Sequence, residues 1–130
     1  MSDVLVDSSV WIDFFRGHRP TVERVDRLLV DDRVAVTGPI AAEVASGARS
    51  LALFDELRNR LGALHLLQDP ADLWQRVASA RFQLARRGVQ AHLIDLTIAV
   101  TASVHGHALM TRDKDFREIG KVVLLDLDVY

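Results

Sequence analysis

The sequence has 130 residues, 49% hydrophobic and 26% charged, with seven glycines, three prolines and no cysteine. That balance excludes a disordered tail or a collagen-like fibre, and the lack of cysteine excludes thiol catalysis, Cys-ligated zinc and a disulfide framework. Sixteen Lys and Arg against eighteen Asp and Glu give a formal charge of −2, a sum that argues against a basic nucleic-acid binder. The length suits one domain spanning 1–130, large enough to fold without a staple.

The chain opens on Met1-Ser2-Asp3, acidic within three residues, so no signal peptide is expected. Val4-Leu5-Val6 is a continuous apolar run, as in a strand buried on both faces. Trp11, Phe14 and Phe15 crowd one short helix, and Val22, Val25, Leu28 and Leu29 share the face of a second. Val34-Ala35-Val36 reads as the next strand. Gly38-Pro39 then puts proline at a helix start before Ile40-Ala41-Ala42-Glu43. Leu51, Phe54, Leu57 and Leu61 mark another helical face, followed by a third strand at Leu64–Leu67. Asp69-Pro70 predicts the cap of a helix whose inner face is Leu73, Val77, Ala80 and Leu84, ending at Gly88. Leu93 to Val104 is the longest apolar stretch, interrupted by Asp95 and too short to span a bilayer. Gly106 should stop that helix, Ala108-Leu109-Met110 form strand four, and Val122–Leu125 form strand five. Strands alternating with helices imply right-handed crossovers and a mostly parallel sheet covered on both faces. The expectation is a soluble, cytoplasmic α/β protein without a membrane partner.

Ligands of open α/β sheets bind beyond the carboxyl ends of the strands. Asp7-Ser8-Ser9 follows the first strand there, and Thr111-Arg112-Asp113-Lys114-Asp115-Phe116 follows the fourth. Glu43 lies one turn into the helix after strand two, and Asp95 sits in His92–Val100, a segment apolar almost all round. Each acid has an ordinary reading. An Asp after a strand is commonly a turn former, Glu43 alone a helix-surface acid, and Asp115 the start of a short helix to Ile119. Their joint placement at strand ends and early helix turns points further. Converging carboxylates repel, and either their pKa values rise or a hard divalent cation binds through oxygen. Without cysteine or a histidine set, Mg²⁺ or Mn²⁺ is favoured over zinc, and such a site suits phosphodiester hydrolysis.

In these residues the chain resembles the PIN-domain family, most closely its VapC-type ribonuclease toxins. Val4 to Gly17 is similar to the family's opening strand, first acid and first helix. Glu43 falls at its second acid, Asp95-Leu96-Thr97-Ile98-Ala99 at its third, and Thr111–Phe116 at its C-terminal motif. The resemblance covers essentially the whole chain, with acid separations of 36, 52 and 18 residues. It implies a three-layer sandwich around a five-stranded sheet in the order 3-2-1-4-5, flanked by helices.

It also implies Asp7 and Asp95 as the main metal ligands, with Glu43 and Asp113 completing a catalytic quartet and Mg²⁺ (or Mn²⁺) as cofactor. Asp115 either assists through a water or only caps. Ser8 and Thr111 either orient a carboxylate or water, or cap. No covalent nucleophile is needed. Arg16, Arg112, Lys114, Arg117 and His92 are candidates for holding RNA, with solvated surface as the ordinary alternative for each. His105-Gly106-His107 reads as a helix terminus. The implied function is a Mg²⁺-dependent endoribonuclease, cutting tRNA or rRNA. It would be the toxin of a toxin–antitoxin pair, neutralised by a VapB-type antitoxin whose C-terminal segment lies in a groove near the active site, and the apolar helix of Trp11, Phe14 and Phe15 beside the acidic cleft fits such a groove. Trp74 and Phe82 serve either the core or a homodimer contact. Two other readings stand beside it. One is a receiver-like phosphoacceptor domain using Asp69, Thr111 and Lys114, and the other is a catalytically silent PIN binding module. If the four acids form one metal site, the formal charge of the remainder changes from −2 to +2. The acidic sum then measures a concentrated site, not an RNA-repelling exterior.

Overall fold

The apolar runs assemble into one sheet in the computed structural model, which describes residues 2–130. Its strands are β1 (Val4–Val6), β2 (Val34–Val36), β3 (His65–Leu66), β4 (Ala108–Thr111) and β5 (Leu127–Val129). The helices are α1 (Ser8–Phe15), α2 (Arg19–Val30), α3 (Gly38–Ser46), α4 (Leu51–Gly62), α5 (Leu73–Arg86), α6 (Leu93–His105) and α7 (Phe116–Ile119). The order is β3-β2-β1-β4-β5 and every pairing is parallel. The chain steps outward from β1 to β3 through α1–α4, then crosses back through α5 and α6 to β4 on the far side of β1. That reversal creates a crevice at the carboxyl ends of β1 and β4. Register places Val6 beside Met110, and the Asp7 N–H donates to the Met110 carbonyl at 2.9 Å. Asp7 and Thr111 therefore leave the sheet side by side.

Leu5, Ala35 and Leu109 of the three central strands are fully buried, which is why those strands read as unbroken apolar runs. The seven consecutive residues Leu96–Ala102 of α6 are all buried, explaining its apolar sequence all round. α5 turns Leu73, Val77, Ala80 and Leu84 inward at helical spacing. Gly106 closes α6 at φ +69°, a left-handed conformation that glycine adopts without the Cβ penalty. No helix among the described residues is long and apolar enough to cross a membrane.

Two predicted boundaries move, and one predicted face changes. Val122–Leu125 is not the fifth strand: the Val122 and Val123 N–H groups donate back to the Ile119 carbonyl at 3.0 and 2.9 Å, finishing the α7 turn. Val123 is buried while Leu124 is 89% exposed. β5 forms further on, anchored by Leu109 N–H to the Asp126 carbonyl at 2.8 Å. An apolar run completes a helical turn as readily as it makes a strand. The helix predicted to start at Asp69-Pro70 begins at Leu73, because the Pro70 carbonyl first accepts from Leu73 N–H at 3.0 Å and closes a turn. On α4, Leu51 is exposed, and the buried positions of that face are Leu57 and Leu61.

At the opposite end of the sheet, His65 ties three elements together. Its Nδ1 lies 2.7 Å from Asp3 Oδ2 before β1, and its Nε2 lies 3.0 Å from Asp32 Oδ1 before β2. Two carboxylates facing both ring nitrogens favour the doubly protonated ring. The hydrogen bond to Asp3, then the charge of Asp32, raise its pKa above the usual 6.5. A raised folded-state pKa stabilises the fold fully below about 6.5 and loses that contribution as pH climbs through the raised value. The urea midpoint of wild type should exceed that of His65→Gln most near pH 6, with the gap shrinking by pH 9. A gap independent of pH would show that the imidazolium plays no part.

Candidate active site

β1 ends on buried Val6, and Asp7 follows at the N-cap position of α1, yet its side chain caps nothing. Instead, Asp7 Oδ2 accepts from Thr111 Oγ1 at 2.8 Å and from Ser9 Oγ at 2.9 Å. Only 5% of Asp7 is exposed. Burial pushes its carboxyl pKa up; the Thr111 and Ser9 hydroxyls and the Ser8 N–H pull it down; Glu43 repulsion raises it again. The same hydroxyls reach onward. Thr111 Oγ1 accepts from Asp113 N–H at 3.0 Å, and Ser9 Oγ accepts from Arg112 N–H at 3.0 Å. Asp113 Oδ1 in turn accepts from Asp115 N–H at 2.9 Å. The segment after β4 is thereby stitched to the acid after β1.

The other two acids come from helices. Glu43, on the exposed side of α3, accepts from Ser8 Oγ at 2.9 Å, so α1 orients it across the strand boundary. Asp95 is half-buried in the first turn of α6 and has no hydrogen-bond partner among the described residues. Its pKa is pushed up to about 6, first by burial, then by the charges of Asp113 and Asp7; His92 opposes the rise and Glu43 adds to it. Each of the other three acids thus adds to the rise at Asp95. Among the described residues no group of three or more His, Asp or Glu side chains stands close enough together to hold a metal ion as placed. The donor set is nevertheless all oxygen, with a buried carboxylate at its centre and mutual repulsion to be relieved. Those features fit a hard divalent cation.

The structure sorts the remaining candidates. Asp115 takes the N-cap position of α7 without a side-chain cap, and with Asp95, His92 and Glu118 it lines a cavity of about 100 Å³. The Ser8 hydroxyl supports Glu43, and the hydroxyls on Asp7 are those of Thr111 and of Ser9, a residue without a role in the sequence analysis. Its signal was the second serine of Asp7-Ser8-Ser9, one residue further round the helix. Thr111 touches Asp7 directly. Arg112 is already engaged, with Nη1 at 2.9 Å from Asp13 Oδ2. Arg16, Lys114 and Arg117 are exposed and form no ion pair among the described residues. His92 is the N-cap residue of α6 and makes no side-chain cap.

The aromatic residues of α1 form a cluster, and Trp11 and Phe15 line a small cavity of about 40 Å³ with Leu29, Arg60, Leu61 and Leu64. Trp11 is buried, with ring centroids 5.5 Å from Phe14 and 5.8 Å from Phe15. A larger apolar groove lies between α3 and α4, about 510 Å³ lined by Ala41, Ala45, Phe54, Leu61 and Leu66. Trp74 and Phe82 are 61% and 64% exposed, which removes them from the core. They border a depression of about 910 Å³ with Leu93 and Ile94. Asp69 lies exposed in the loop after β3.

A family model described as PIN domain matches residues 4–122, spanning every element that carries an acid of the site. The chain belongs to the PIN-domain family. Among characterised relatives, VapC ribonuclease Mb1587 of Mycobacterium bovis is 34% identical, with 94% of this chain and 95% of that protein covered. Ribonuclease VapC5 of Mycobacterium tuberculosis is 31% identical, with 86% and 84% covered. These place the PIN domain in its VapC branch. Among solved structures, VapBC2 from Rickettsia felis, bound to a DNA fragment from its promoter, matches with a TM-score of 0.79 at 17% identity over 98% of both chains. VapBC-5 from Mycobacterium tuberculosis matches with a TM-score of 0.73 at 23% identity over 100% of both chains. Both share the fold of this PIN domain.

A raised carboxyl pKa makes the ionised acid a burden on the folded state. Asp95 costs stability increasingly as pH rises from about 4, and fully above about 6. In metal-chelated buffer at pH 7.5, Asp95→Asn should be more stable by about 1 kcal/mol, a figure discounted for the half-exposed carboxyl. Thermal melts should show this gain disappearing near pH 4. An Asn variant less stable than wild type at pH 7.5 would contradict the repulsion described.

Proposed function

We propose that this PIN domain is a divalent-metal-dependent endoribonuclease and the toxin half of a toxin–antitoxin pair. The observation that carries the reading is the coupling of Asp95 to Asp113, Asp7 and Glu43 around a buried, hydroxyl-held carboxylate. Likeness over nearly full length to proteins named VapC ribonucleases supports it.

Asp7 and Asp95 would hold the ion, with Glu43 and Asp113 beside them. When bound, Mg²⁺ or Mn²⁺ supplies an activated water and neutralises charge developing on the phosphate. The chain's own residues prepare for this. Ser9 and Thr111 fix the rotamer of Asp7, Ser8 fixes Glu43, and the Thr111–Asp113 hydrogen bond sets where the strand-end segment points. Exposed Arg16, Lys114 and Arg117 offer charge-assisted contacts to RNA phosphates, with His92 at the start of the Asp95 helix. A structured RNA such as tRNA or rRNA is the substrate class. The α3–α4 groove, starting beside Glu43, would take an apolar segment of a VapB-type antitoxin, and the Trp74–Phe82 face would take a second copy of the chain. The setting is the cytoplasm.

Purified protein incubated with total RNA and Mg²⁺ or Mn²⁺ should give discrete fragments, none of them formed in EDTA. Asp7→Asn or Asp95→Asn should abolish cleavage. Ser9→Ala and Thr111→Val should each retain the fold and lose about 10–100-fold in rate, the usual cost of removing a partner that orients a metal-binding group. Fragments that persist under chelation or in both Asn variants would refute the metal-carboxylate reading.

A further inference from the structure

We propose that Tyr130 is a positioning residue for the active site, acting through Arg112; this rests on the ribonuclease reading above. Arg112 lies between Thr111, which holds Asp7, and Asp113. Its backbone N–H is fixed on Ser9, and its guanidinium is fixed twice. Nη1 meets Asp13 Oδ2 of α1 at 2.9 Å, and the guanidinium carbon sits 5.1 Å from the centroid of the Tyr130 ring. The ring is itself anchored. Tyr130 N–H donates to the Thr111 carbonyl at 3.3 Å, and its hydroxyl lies 2.9 Å from Oγ1 of Thr21, a fully buried residue of α2. Thr21 is paired in turn with His18 Nδ1 at 2.9 Å. A second guanidinium, that of Arg24, lies 4.4 Å from the ring centroid.

The charges of this cluster cancel: Arg112 pairs with Asp13, and Arg24 pairs with Asp128. The cluster therefore adds little field to attract RNA. What it adds is geometry. A planar guanidinium held at one edge by a carboxylate and against a ring has few orientations left. Its backbone is then fixed between the two residues that orient Asp7 and carry the fourth acid. Removing the ring should loosen the strand-end segment, so turnover should suffer while RNA binding does not.

The test uses a short RNA containing a site cut by wild type, with kcat and KM measured well below the melting temperature. Tyr130→Leu should lower kcat tenfold or more with KM within threefold of wild type, and Tyr130→Phe, which keeps the ring, should restore kcat to within threefold. Thr21→Val removes the hydroxyl's partner without touching the ring; it should lower the melting temperature and leave kcat within threefold, separating positioning from stability. In an Arg112→Ala background, Tyr130→Leu should have no further effect, because one acts through the other. Should Tyr130→Leu not fold, Asp13→Asn frees the same guanidinium from its other side and carries the same expectation. Additive losses in the double variant would overturn the proposal, as would a raised KM with unchanged kcat or a Tyr130→Leu enzyme as fast as wild type. An active wild type and inactive Asp7→Asn beside such a result would leave the ribonuclease reading standing. No cleavage by wild type would overturn both.

Discussion

A carboxylate buried at the end of a central strand is the constraint around which the site is built. Placing an ionised acid there costs several kcal/mol unless it is hydrogen-bonded, paired or ligated. The chain supplies two hydroxyls to Asp7, one from the first turn of α1 and one from the last residue of β4. The first is local, two residues along the chain, whereas the second depends on the β1–β4 register, which sets Val6 against Met110. The parallel order, the crossover through α6 and the all-buried centre of that helix thus set the geometry of one oxygen atom. A slip of the register by one residue would turn Thr111 to the other face of the sheet.

Asp95 shows the other side of the same design. Its backbone position is fixed by packing, since α6 is wedged into the core from Leu96 to Ala102. Its carboxyl is left facing three like charges, without a hydrogen-bond partner among the described residues. On the proposed reading, stability is given up where binding is needed, and a hard cation would relieve the conflict. The charge of the chain follows the same logic. With the four acids assigned to one site, the remainder is formally +2, and exposed Lys114 and Arg117 adjoin it in sequence.

Much of this was legible in the sequence because burial leaves strong patterns. Central strands show unbroken apolar runs, α5 shows a clean helical stripe, and an acid inside an apolar helix start stands out as Asp95 does. Weaker patterns failed where two structures share one signal. Val122–Leu125 is as apolar as a strand but closes the turn after α7, while the true edge strand, Leu127-Asp128-Val129, is no shorter than β1 or β2 but carries an acid at its centre and so shows no unbroken apolar run. Adjacent serines 8 and 9 are chemically identical, and only the helical rotation between them decides which one meets Glu43 and which meets Asp7. The engagement of Arg112 by Asp13 and Tyr130 joins distant parts of the chain and leaves no local trace.

On the proposed reading, Asp7, held by its two hydroxyls, anchors a divalent-ion site shared with Asp95. Calorimetric titration of Mn²⁺ into chelator-stripped protein tests it without reference to any RNA. Saturable binding is expected for wild type, weakened binding for Thr111→Val, and none for Asp7→Asn or Asp95→Asn. Equal Mn²⁺ affinity in wild type and both Asn variants would contradict it.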